Sequence, residues 1–118
     1  MLIEANGISK FVVICGTTDL RTGIEGLACI VQKQYGLNPF ERDVLFLFCG
    51  RKSDRIKALL WEGNGFLLLY KRLEGGSLSW PRTPSEAAVI SKGQYRDLLR
   101  GLNPVKPKVP EVFPTKLF

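Results

Sequence analysis

Residues 56–72, IKALLWEGNGFLLLYKR, hold two apolar runs on either side of Gly63-Asn64-Gly65. A short Gly/Asn segment between β-prone runs is the strongest local signal for an antiparallel hairpin, because glycine and asparagine accept the backbone angles a tight reversal needs. The turn can centre on Gly63-Asn64 or on Asn64-Gly65. Both registers sort the side chains identically, because neighbouring residues on a strand point to opposite faces. One face carries Ile56, Ala58, Leu60, Leu67 and Leu69, an aliphatic set suited to packing under a helix. The other carries Lys57, Leu59, Trp61, Phe66, Leu68, Tyr70 and Arg72, which mixes aromatic rings with cations.

Upstream of the hairpin, residues 11–15 (FVVIC) and 44–49 (VLFLFC) are unbroken apolar runs, the pattern of strands buried on both faces. Between them Ile24, Leu27, Ala28, Val31 and Tyr35 recur at helical spacing, so a helix is predicted over 22–35, ending at Gly36. Thr17, Thr18 and Asp19 offer capping oxygens, and Thr22 with Glu25 forms a capping box. This helix is expected on the aliphatic face of the hairpin. Downstream, Trp80-Pro81 is expected to close the sheet as a short edge strand. Ser91 with Gln94 makes a second capping box for a short helix carrying Tyr95, Leu98, Leu99 and Leu102 and ending near Gly101. The fold class is therefore mixed α/β (α+β): a small, mostly antiparallel sheet with a central hairpin and two helices, whose strand order the pattern leaves open. Residues 1–102 form one domain. Residues 103–118, with Pro104, Pro107, Pro110 and Pro114 among lysines, are expected to be a mobile extended tail.

The 118 residues suffice for one core without staples. The apolar runs fall far short of the ~20 residues of a membrane span, and no cleavable leader pattern is visible, so a cytoplasmic protein without a membrane partner is expected. Cys15, Cys29 and Cys49 are odd in number, widely spaced and set in apolar segments, as buried free thiols are. Histidine is absent, which removes the commonest metal ligand and neutral-pH general base. No metal or cofactor site is expected. Asp19, Asp54 and Glu62 are the carboxylates a nuclease would recruit, yet no acidic residue has lysine two positions later. Cys49, before Gly50-Arg51-Lys52, is the only thiol with basic neighbours. Core packing explains it better than nucleophilic chemistry does. No catalytic residue is assigned.

The formal charge of +6 is uneven: residues 1–48 carry four Lys/Arg against five Asp/Glu, and residues 49–82 carry seven against three. A basic second half points to a polyanion. Arg51, Lys52, Arg55, Lys57, Lys71 and Arg72, beside Trp61, Phe66 and Tyr70, combine phosphate-neutralising cations with rings that stack on unpaired bases. The same residues can equally make a solvated loop and a second buried face. The segment 16–23 (GTTDLRTG) holds either a phosphate, with Arg21 assisting, or only a cap, with Arg21 paired to Asp19. It lacks the spacing and lysine of a P-loop.

Read in order, residues 15–23 (CGTTDLRTG), Phe46-Leu47-Phe48 with Arg51, Asp54-Arg55-Ile56-Lys57, residues 61–66 (WEGNGF), Tyr70-Lys71-Arg72-Leu73-Glu74 and Trp80-Pro81 resemble one family over residues 9–102. It is the TnpB-type accessory protein encoded by the second reading frame of IS-66 insertion sequences, unrelated to the RNA-guided nuclease of that name. Cys49-Gly50 and Gly76-Ser77-Leu78 depart from its more basic pattern. The resemblance implies a non-catalytic bacterial accessory protein of transposition, working beside a transposase that carries the catalytic carboxylates. Its partners would be that transposase and element DNA. The alternative is a pure protein-interaction or oligomerisation module without direct nucleic-acid binding.

Overall fold

A computed structural model describes residues 7–83 and 86–100. The strands are β1 (Lys10–Ile14), β2 (Val44–Cys49), β3 (Arg55–Trp61), β4 (Phe66–Arg72) and β5 (Ala87–Ile90). The helices are α1 (Ile24–Cys29), continued by a π-helical segment Ile30–Gln34, and α2 (Lys92–Leu99). The five strands form one sheet in the order β4-β3-β2-β1-β5. β1 and β2 run parallel, as a pair joined through a helical crossover can, and every other pairing is antiparallel. The mixed fold with a mostly antiparallel sheet, a hairpin and two helices is thus as the sequence predicts.

All six residues of β2 are buried, because the strand lies mid-sheet with both faces covered. On one face Val12, Ile14, Phe46, Phe48 and Leu59 pack with Leu27 and Val31 of the first helix. On the other, Phe11, Val13, Leu45, Leu47, Ile56 and Ala58 pack with Tyr95 and Leu98 of α2 and with Leu78 and Trp80. The Tyr95 ring stacks on Phe11 with centroids 4.3 Å apart.

Several expectations are corrected. The first helix does not lie on the aliphatic face of the hairpin; it lies on the opposite face, with Leu59, Leu68 and Phe66, and α2 takes the aliphatic side. β1 and β2 are apolar on both faces, so periodicity gave the helix no preference. The Thr22/Glu25 capping box does not form: α1 starts from Gly23 without a side-chain cap. The Thr22 carbonyl instead accepts from Lys57 Nζ at 3.1 Å. Trp80-Pro81 is not a strand. Trp80 is buried and its Nε1 donates to the Ile14 carbonyl at 3.1 Å, leaving the sheet edge to Ala87–Ile90. Cys29 is exposed, whereas Cys15 and Cys49 are buried.

The hairpin and the second capping box form as predicted. Trp61 pairs with Phe66, and Glu62 N–H donates to the Gly65 carbonyl at 2.8 Å. Gly63 takes φ +93°, a left-handed angle that glycine adopts at little cost. Ser91 Oγ accepts from Gln94 N–H while Gln94 Oε1 accepts from Ser91 N–H. Gly101, Leu102 and the tail 103–118 lie outside the described residues. No helix among the described residues is long and apolar enough to cross a membrane.

Candidate nucleic-acid interface

β1 and β2 are adjacent and parallel, so the loops leaving them emerge side by side, and the antiparallel partners of β2 and β3 bring the start of β3 and the end of β4 to the same place. The crevice beyond the carboxyl ends of parallel strands is where open sheets most often bind ligands. Here it is a cleft of about 890 Å³ lined by Arg21, Arg51, Lys52, Arg55, Lys57 and Tyr70, together with Thr17, Thr18 and Asp19. Register gathers part of this set, since Lys57 faces Tyr70 across the hairpin; Arg55 faces Arg72, which is not among the residues lining the cleft.

The cations differ in what holds them. Arg21, 90% exposed, pairs with Asp19 at 2.7 Å. Its hydrogen bonds hold the Asp19 carboxyl at about 2, well below the usual range. The Asp19–Arg21 pair of the capping alternative is thus present, but the cap is not, since α1 starts from Gly23 without a side-chain cap. Arg55 pairs with Asp54 at 3.0 Å and Arg72 with Glu74 at 3.3 Å. Lys57 Nζ is bound to the Thr22 carbonyl and lies 6.0 Å from the centre of the Tyr70 ring. Arg51 and Lys52 form no salt bridge among the described residues.

Sequence reasoning missed Arg82, which ties the two loops together. Its Nη1 donates to the Gly16 carbonyl at 2.7 Å and to Thr17 Oγ1 at 3.1 Å. Its Nη2 donates to the Gly50 and Arg51 carbonyls at 2.8 and 3.2 Å and to Ser53 Oγ at 2.7 Å. These partners are neutral oxygens, so they fix the guanidinium without cancelling its charge. Only its place after the Trp80-Pro81 pair hinted at such a role.

Other members of the predicted surface are not brought together. Lys71 points to the opposite face of the sheet, beside Ile56, Leu73, Leu78 and Leu99. Trp61 and Phe66 lie at the far end of the hairpin, about 20 Å along the strands from Arg55 and Arg72 at ~3.3 Å per residue. There they form an aromatic cluster with Phe40, which is 49% exposed; the three centroid separations are 4.9, 5.0 and 5.3 Å. Arg42 reaches the same tip, its Nη1 3.2 Å from where a Cβ on Gly63 would stand. Phe40 was not legible as part of this cluster, because it comes from a loop more than twenty positions away.

The chemistry of the two buried thiols, Cys15 and Cys49, is suppressed. Burial pushes Cys15 up to about 11, and raises Cys49 as well despite the opposing pull of Arg82. Among the described residues no three His, Cys, Asp or Glu side chains group as a metal site.

Against known proteins, the family described as IS66 Orf2 like protein matches residues 9–109. The chain is 37% identical over 91 residues to the uncharacterized protein y4hO of Sinorhizobium fredii, covering 77% of this chain and 78% of that one. It is 29% identical over 109 residues to the uncharacterized protein y4jC of the same organism, covering 92% of each. No solved structure matches.

Proposed function

This chain belongs to the family of IS66 Orf2 like proteins, accessory proteins of insertion-sequence transposition, and from that premise we propose that it binds element DNA in its cationic cleft, without catalysis of its own. The observation that carries this reading is the cleft itself: five cations line it against one carboxylate, and three of them, Arg51, Lys52 and Lys57, have no salt bridge among the described residues, Lys57 being held by the Thr22 carbonyl instead. Phosphates offer the missing partners, and each one neutralised releases counterions and adds to affinity. The transposase of the same element is the protein partner this role requires.

Fluorescence anisotropy with duplex, single-stranded and terminal-repeat DNA across a salt series tests the reading. Salt-sensitive binding is expected, and it should be lost on reversing charge with Arg51→Glu and Lys52→Glu. Equal binding by that variant, or none by the natural protein at low salt, removes the cleft from the mechanism.

The second reading, a protein-interaction module, is favoured by the Phe40, Trp61 and Phe66 cluster. Phe40 is exposed and Trp61 and Phe66 are half-buried, and aromatic rings presented beside a cation such as Arg42 are typical interface anchors. If this tip docks the transposase, Trp61→Ala weakens that complex at high salt and leaves DNA binding intact.

A further inference from the structure

We infer that the cleft takes unpaired DNA, with a base seated on the Tyr70 ring and the flanking phosphates against Arg51 and Lys52. This deepens the DNA-binding reading and rests on it.

Several observations converge. Of the three aromatic residues in the hairpin's mixed face, only Tyr70 lies in the cleft; Trp61 and Phe66 belong to the tip. Tyr70 is 53% exposed, on β4 at the edge of the sheet. Lys57 is anchored to the Thr22 carbonyl with its Nζ over the ring, 6.0 Å from its centre, and the tyrosine stays half exposed beside it. The cleft is also concave and of nucleotide size. Its 890 Å³ falls in the ~300–1,000 Å³ range of small-ligand clefts, enough space for a nucleotide. Tyr70 and Leu68 give the lining an apolar part, while Arg51 and Lys52 are cations of the same lining that form no salt bridge among the described residues. That division, rings under bases and cations along phosphates, is how proteins hold single strands with little sequence preference.

The test compares binding of labelled oligothymidylate and of a duplex by the full chain and by Tyr70→Ala, Tyr70→Phe and the pair Arg51→Gln/Lys52→Gln. Tyr70→Ala should weaken oligothymidylate binding about tenfold, leave duplex binding unchanged, and keep the slope of log affinity against log salt, since no charge is removed. Tyr70→Phe should restore the affinity. The Arg51/Lys52 pair should weaken both ligands and flatten the slope by roughly 1–2. An iodouracil-substituted oligonucleotide should photocrosslink to the peptide containing Tyr70. Unchanged oligothymidylate affinity in Tyr70→Ala, with the Arg51/Lys52 pair still impaired, overturns the stacking role and leaves DNA binding standing. An equal loss on duplex and single strand also overturns it. Absence of DNA binding by the natural chain overturns both.

Discussion

Arg82 shows how one side chain can decide the shape of a surface it does not itself line. Its planar guanidinium reaches carbonyls and hydroxyls from the loop after β1 and the loop after β2 at once. A lysine has one ammonium on a flexible stem and cannot span both. Arg82→Met leaves the Gly16 and Gly50 carbonyls without this partner. At ~1.5–3 kcal/mol for a hydrogen bond to a charged group, partly offset by water at the loops, a loss of about 2 kcal/mol is expected. Thermal unfolding followed by circular dichroism should show Tm falling by roughly 10 °C. The Asp19 and Arg21 pair is the opposite case. Both side chains are well exposed, so their bond organises the loop more than it stabilises the fold.

At the scale of elements, legibility followed the strength of local chemistry. β2 and β4 lie where their apolar runs place them, and α2 starts at the predicted cap because Ser91 and Gln94 satisfy each other's backbone groups without tertiary help. Ser91→Ala should cost about 1 kcal/mol, typical for a lost N-cap, and lower Tm by about 5 °C. The first helix is the contrast. Its Thr22 carbonyl is taken by Lys57 from β3, a contact across 35 positions, and its cap passes to Gly23. Ala87–Ile90 escaped notice because four residues with Val89 exposed carry almost no pattern. They form a strand because β1 offers a free edge.

For the whole molecule, the sheet order separates what the sequence placed together. Arg55 and Trp61 are six residues apart, yet one stands at the cleft and the other at the tip. Two surfaces result, one cationic and one aromatic. Burial also sorts the three thiols, with Cys29 on the surface and Cys15 and Cys49 in the core. An aromatic disulfide reagent should modify one thiol promptly under native conditions and the other two only on unfolding. Fast labelling of a second thiol would show that the Cys15 or Cys49 side of the core opens.

What the sequence determined by itself is the hairpin, its two faces, the buried strands, the cap of α2 and the family, because each is written in residues close along the chain whose spacing has one physical reading. Only the tertiary structure decided which face the first helix covers, that Trp80 fills the core, that Arg82 clamps the cleft, and that Lys71, Trp61 and Phe66 stand apart from the cleft. Those outcomes depend on strand order and on contacts between residues far apart in sequence. A chain apolar on both faces of its central strands gives no local sign of them, because burial rewards either face equally.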